Sequence, residues 1–196
     1  MRFNLSKLFR SHVDFDSLTT PFTHAEIDDV VKEMLADRAP GPDGFNGAFL
    51  TACSPIIKTD FYQLCEEFHS GKLNLESLNY GSITLIPKKN APETVNDYRP
   101  ITLLNCCLKM VTKILANRIQ KIILQIVHRN QYGFLRGRSI HDCLAWAYEY
   151  IHQCQASKRD IILLKLDFAK AFDTIEHSAM LQIMKEMGFN KKWLQW

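Results

Sequence analysis

No stretch of about 18 consecutive apolar residues occurs in the 196-residue chain, so no segment has the length and character of a membrane-spanning helix. The chain has no C-x-x-C pair among Cys53, Cys65, Cys106, Cys107, Cys143 and Cys154, which argues against a zinc site. Adjacent Cys106 and Cys107 suit neither ligand nor disulfide spacing, and all six read as reduced thiols of an intracellular protein, nuclear or cytoplasmic. There is no internal repeat and no low-complexity tract. Residues 1–13 are basic and weakly amphipathic but lack the apolar core of a signal peptide; a transit peptide is the weaker alternative, since Asp14 and Asp16 follow at once. Acids are missing altogether between Tyr98 and His141, where Arg99, Lys109, Lys113, Arg118, Lys121, Arg129, Arg136 and Arg138 lie. A solvated basic helix face and a polyanion-facing surface both fit that stretch. The net charge of +3 does not decide between them.

What is present is ordinary for a folded protein, with 46% hydrophobic and 23% charged residues, which excludes disorder of the whole chain. Thr23 and Glu26 have capping-box spacing ahead of Ile27, Val30, Val31, Met34 and Leu35, predicting a helix stopped by the Ala39–Gly44 turn. A second helix is expected from about Ile56 to His69, ended by Gly71. Alternation over Tyr80–Ile86 predicts a strand closed by Pro87, and residues 90–97 read as a turn. Cys106–Val127 is the strongest helix, with Leu108, Val111, Leu115, Ile119, Ile122 and Ile126 on one face. A loop with two glycines follows over 130–137, then a helix over Ile140–Gln155 with Trp146 and Tyr150 partly buried. Residues 161–166 are nearly all apolar and predict a central, buried strand. A short helix over Ser178–Met187 is closed by Gly188. The order gives an α+β fold.

Asp167 follows the expected strand. A carboxylate there needs a partner, and Mg2+ is one, because it prefers hard oxygen ligands. Capping of the following turn is another role that fits. The turn after Asp167 presents backbone N–H groups of the kind that hold phosphate.

Leu166-Asp-Phe-Ala-Lys-Ala-Phe-Asp173 resembles the first palm motif of reverse transcriptases of the non-LTR, LINE-like retrotransposon type. Arg38-Ala-Pro-Gly-Pro-Asp-Gly-Phe45 resembles their A-P-G-P-D-G motif. Leu85-Ile-Pro-Lys-Lys89, Asn96-Asp-Tyr-Arg-Pro-Ile101, Leu104-Asn105, Lys109 and Ile114-Leu-Ala-Asn-Arg-Ile119 resemble the fingers block. Gln131-Tyr-Gly-Phe-Leu-Arg-Gly-Arg-Ser139 resembles the Q-x-G-F-x-x-G-R-S loop. The blocks stand in the family's order over about residues 20–196.

The resemblance implies a partial right-hand polymerase fold: an extension with the template-loop motif over 1–50, fingers over 51–157, and an incomplete palm over 158–196. It implies an RNA-directed DNA polymerase acting on an RNA template, a DNA primer and dNTP, with Mg2+ as cofactor and no membrane. Asp167 is the implied first metal-binding aspartate; in a two-metal mechanism the ions activate the primer hydroxyl and stabilise the leaving pyrophosphate. Lys88 or Lys89, Arg99, Phe168, Ala171 and Phe172 are implied at the nucleotide, with Arg99 on the triphosphate and Phe172 as the ring that rejects a 2′-hydroxyl. Gly41, Pro42, Gly44, Gln131, Gly133, Phe134, Arg136 and Arg138 are implied at the template. For Gly41, Pro42 and Gly44 a plain helix terminator is the bland alternative. For the Gln131 loop it is a glycine turn with exposed arginines.

The family's later [FY]-x-D-D pair has no counterpart, since Asp28-Asp29 lies far upstream on an expected helix surface. Asp173 reads as a structural acid near Asp167. The expectation is a fragment that ends before the palm hairpin and thumb, binds Mg2+ weakly or not at all, and is inactive alone. Its strand over 161–166 would then expose apolar surface and open edges. An RNA-binding remnant, a non-functional relic and a group II intron maturase-like protein are the alternatives.

Overall fold

Thr23 starts the first helix. In the computed structural model, which describes residues 13–168, 171 and 174–196, its Oγ1 accepts the Glu26 N–H at 3.2 Å and α1 runs over His24–Lys32. The helix stops at Glu33, before the Ala39–Gly44 turn expected to end it, so Met34 and Leu35 lie outside it. Asp29 is exposed and pairs with Lys32, whereas Asp28, expected on the surface too, is half-buried and accepts from the Tyr62 hydroxyl at 2.8 Å.

Helix α2 spans Gly47–Ser70 and closes on Gly71, whose φ of 72° is left-handed. It begins nine residues upstream of the expected Ile56 start and carries Pro55 inside it. A proline reads as a stop because it removes a helix hydrogen bond. Here the turns before it are secured independently: Asn46 Oδ1 accepts the Phe49 N–H at 2.9 Å, and Gly47 and Leu50 are buried. A short helix, α3, covers Leu75–Leu78. Strands β1 (Gly81–Pro87) and β2 (Tyr98–Leu104) form an antiparallel hairpin with Gly81 opposite Leu104 and Pro87 opposite Tyr98.

Helix α4 covers Cys106–Ile126, within one residue of expectation. Its buried line is Cys106, Met110, Ile114 and Arg118, together with Val111. The expected stripe is only half-buried apart from Val111. Met110 and Ile114 are apolar too, so spacing permits two stripes, and packing against α1 and α2 selects one. Ile27, Val30 and Val31 of α1, Leu50, Phe61 and Cys65 of α2, and Cys106, Met110 and Ile114 of α4 make one core. Burying side chains of this size contributes about 1.5–3 kcal/mol each.

The chain divides into two compact units, residues 20–117 and residues 13–19 with 118–196. In the second, Phe15 packs on Phe189 at 4.4 Å between ring centroids. Arg118, only 6% exposed, donates from Nη1 to the Leu18 carbonyl at 2.9 Å. Helices α5 (Ile140–Ala156), α6 (His177–Met187) and α7 (Lys191–Gln195) belong to this unit. Asn190 binds the N-terminal turn through Asp16 and Thr19 while its Oδ1 caps α7 at Trp193. Trp146 and Tyr150, expected partly buried, are half exposed and stack on each other 5.5 Å apart.

Residues 161–166 are not a buried strand. They carry no regular structure, and Ile162, Leu163, Leu164 and Leu166 are exposed. A strand requires a neighbour to pair with, and the described sheet holds β1 and β2 alone. The exposed apolar surface expected there is present. The result is a mixed fold of helices with a small antiparallel sheet. No helix among the described residues is long and apolar enough to cross a membrane, and all six cysteines are free thiols.

Candidate nucleotide and template site

The hairpin carries the first cluster. Its tip is organised by Asp97, whose carboxylate accepts from the Glu93 and Thr94 amides at 3.0 Å each and pairs with Lys89 Nζ at 3.1 Å. These bonds, the Thr94 amide foremost, then Lys89 and the Glu93 amide, hold the Asp97 carboxyl below the usual carboxylate range. Lys88 extends the ladder by one step, its N–H donating to the Asp97 carbonyl at 2.7 Å, and its Nζ donates to the Asn96 carbonyl at 2.7 Å. Lys89 is thus matched by a carboxylate, whereas the described partner of Lys88 is a neutral carbonyl. Arg99 stands opposite Ile86. Strand alternation puts Ile86 and Lys88 on one face, so Lys88 and Arg99 share a face of an exposed hairpin.

The Gly41–Gly44 loop is welded to the junction of β2 and α4. Asp43 Oδ2 accepts the Cys106 N–H at 3.0 Å, and Asn105 Oδ1 accepts the Asp43 N–H at 3.2 Å. A carboxylate from 63 residues away therefore caps α4, where the helix dipole favours negative charge. Lys109 Nζ holds the Ala39 carbonyl at 2.9 Å. Gly41 cannot carry a side chain: a Cβ would collide with the Leu104 carbonyl and lie 2.7 Å from Asn105 N. Gly44 has φ of 74°, and Pro42 is exposed. Burial, with help from Asp43, pushes the Cys106 and Cys107 thiols up. The capping role of Asp43 has no local signal, since Pro-Asp-Gly reads as a turn.

In the other unit, the Gln131–Arg138 loop is clasped from within. Arg138 Nη1 donates to the His128 and Gln131 carbonyls at 2.6 and 2.7 Å, and Nη2 reaches the Val127 carbonyl at 3.5 Å. The guanidinium thereby ties the loop to carbonyls of the segment that follows α4. Arg136 is exposed. Phe134 is 93% exposed with φ of 62°, a conformation that bulky side chains rarely adopt. Gly137 has φ of 85°, Gly133 is half-buried, and Gln131 Nε2 lies 3.5 Å from the Gly133 carbonyl. Ser139, the last residue of this motif, caps α5 by accepting the His141 N–H at 3.1 Å.

Asp167, Phe168 and Ala171 are exposed. Phe172 and Asp173 lie outside the described residues. Reverse transcriptases generally use divalent metal. Among the described residues, however, no group of three or more His, Cys, Asp or Glu side chains could hold an ion, so the described donors around Asp167 do not fit a two-metal cage.

Residues 86–196, more than half of the chain, match the reverse transcriptase (RNA-dependent DNA polymerase) family. The chain is 27% identical over 180 residues to the transposon TX1 uncharacterized 149 kDa protein of Xenopus laevis, which covers 91% of this chain and 14% of that protein. It is 28% identical over 172 residues to the retrovirus-related Pol polyprotein from type-1 retrotransposable element R1 of Bradysia coprophila, covering 85% and 17%. With the probable RNA-directed DNA polymerase from transposon BS of Drosophila melanogaster the identity is 26% over 188 residues, covering 88% and 20%. The chain spans at most a fifth of the length of these relatives. The four sequence blocks and these matches agree: the chain belongs to the reverse transcriptase family, among relatives from non-LTR retrotransposons.

Proposed function

We propose that the chain is the nucleotide- and template-facing part of a retrotransposon RNA-directed DNA polymerase, and that it does not extend a primer by itself. The observation that carries this reading is the shared face of Lys88 and Arg99 on an exposed hairpin whose tip is fixed by Asp97 and Lys89. A planar guanidinium with a nearby ammonium suits a triphosphate. Lys88 is the lysine assigned to that role, because the Lys89 charge is already matched by Asp97.

In this reading Phe168, Ala171 and Phe172 flank the nucleotide, and Asp167 supplies one metal ligand of a partial palm over 158–196, with fingers over 51–157. The template lies against Gly41, Pro42, Gly44, Gln131, Gly133 and Phe134. Arg136 meets phosphate, while Arg138 positions the loop by holding three carbonyls. Retention of nucleic acid without catalysis is the second reading, and the acid-free basic stretch from Arg99 to Arg138 supports it. The names of the relatives favour a retrotransposon over an intron maturase.

Titration of the chain with dATP tests the assignment. Lys88→Ala and Arg99→Ala are each expected to weaken binding about tenfold, while Lys89→Ala leaves it within about twofold. Equal losses for all three contradict it. Anisotropy with a labelled RNA–DNA hybrid is expected to show log affinity falling with log salt, with Arg136→Ala reducing the slope by about 0.9. Binding indifferent to salt contradicts the template surface.

A further inference from the structure

Asn105 is the one residue between β2, which ends at Leu104, and α4, which begins at Cys106. So short a linker leaves the strand no slack against the helix. The side-chain amide of Asn105 is engaged at both ends. Its Oδ1 accepts the Asp43 N–H at 3.2 Å, and its Nδ2 donates to the Leu78 carbonyl at 3.4 Å. Leu78 closes α3 just before β1 begins at Gly81. One side chain therefore joins the Gly41–Gly44 loop, the foot of β2 and the approach to β1. The loop is stiff from its own side as well. Asp43 uses Oδ1 for the Phe45 N–H at 3.2 Å and Oδ2 for the Cys106 N–H at 3.0 Å, and the Gly44 N–H donates to the Gly41 carbonyl at 3.0 Å.

We infer that Asn105 is a positioning residue for both halves of the site: it makes the template-facing loop and the nucleotide-facing hairpin respond as one body, so that a triphosphate held by the hairpin tightens the loop. Ordering one part of a jointly ordered body lowers the cost of ordering the rest, which couples two ligands without a change of shape. The path is short. Lys88 and Arg99 belong to the hairpin, whose ladder runs from Pro87 opposite Tyr98 down to Gly81 opposite Leu104. Leu104 adjoins Asn105 in the chain, and its carbonyl lies against Gly41. Lys109 holds the loop at a second point, the Ala39 carbonyl at 2.9 Å, but that tie runs from α4 and bypasses Asn105. The triphosphate half of the inference rests on the nucleotide and template reading proposed above; the common motion of loop and hairpin does not.

Amide hydrogen exchange in the purified 196-residue chain tests both halves. Without ligand, the Asp43, Gly44 and Cys106 amides are expected to open with the same urea dependence as the ladder amides of the hairpin. Asn105→Ala should raise opening at Asp43 about tenfold, the worth of one hydrogen bond. It should also separate loop from hairpin while protection at buried Ile114 stays unchanged. Saturating dATP should slow exchange at the Lys88 amide and, in the parent, at Asp43 and Cys106. Asn105→Ala should keep the first effect and lose the second, whereas Lys109→Met, which cuts only the other tie, should keep both. Loop and hairpin amides that open independently in the parent overturn the inference, and so does a loop response to dATP that survives Asn105→Ala. Protection lost alike at Asp43 and Ile114 in that variant makes Asn105 a structural residue only and overturns it too. If dATP slows no hairpin amide, the nucleotide reading falls and the coupling to triphosphate with it, while the ligand-free comparison still decides the common motion.

Discussion

The Asp43 carboxylate accepts the backbone N–H of Cys106 at 3.0 Å and so caps a helix 63 residues further along the chain. Asn105 returns the contact by accepting the Asp43 N–H. Two sequence blocks that resemble reverse transcriptase motifs are thus one joint. Asp43→Ala is expected to lower stability by about 1–2 kcal/mol, as loss of an N-cap does, with Asp43→Asn retaining part of it. Urea unfolding of the two variants checks this; an Ala variant as stable as the parent refutes the joint.

The hairpin tip depends on pH through Asp97. Its carboxyl is held below the usual range by the Thr94 amide, Lys89 and the Glu93 amide. A depressed folded value means that the charged form is favoured in the fold. The contribution is therefore full above the unfolded value of about 3.9 and is lost as pH falls through the folded value. The Glu93 and Thr94 amide resonances are expected to move below the ordinary Asp range, and Asp97→Asn should abolish that transition. A midpoint at or above about 3.9 contradicts the tip geometry.

Arg138 fixes the segment after α4 through three carbonyls. Arg138→Ala is expected to cost about 1–2 kcal/mol and to expose the Gln131 amide, which donates to the His128 carbonyl at 2.9 Å. Arg138→Lys should recover less than half, because an ammonium cannot hold the fork. Hydrogen exchange at Gln131 is the readout; unchanged protection in the Ala variant contradicts the clasp.

Much of the fold was legible where one periodicity dominates. The bounds of α4 follow from its long apolar run, and Gly71 and Gly188 end helices as glycines do, with φ of 72° and 100°. Legibility failed where a distant partner decides. Pro55 reads as a stop, yet Asn46 and buried Leu50 hold the turns before it. Residues 161–166 have a buried strand's composition, but composition cannot supply a neighbouring strand. Motif resemblance singled out the Gly41 and Gln131 loops as candidates, and it could not tell that Arg138 binds its own loop or that Asp97 is matched with Lys89 rather than Lys88. Those facts depend on which carbonyl or carboxylate the folded chain brings within reach.

The most direct measurement is templated dNTP incorporation by the purified chain on a primed RNA template with Mg2+. The account predicts no extension above background for the parent, and no difference between the parent and Asp167→Ala. Incorporation that the parent supports and Asp167→Ala abolishes would contradict it, because the residues present would then suffice to assemble a polymerase centre.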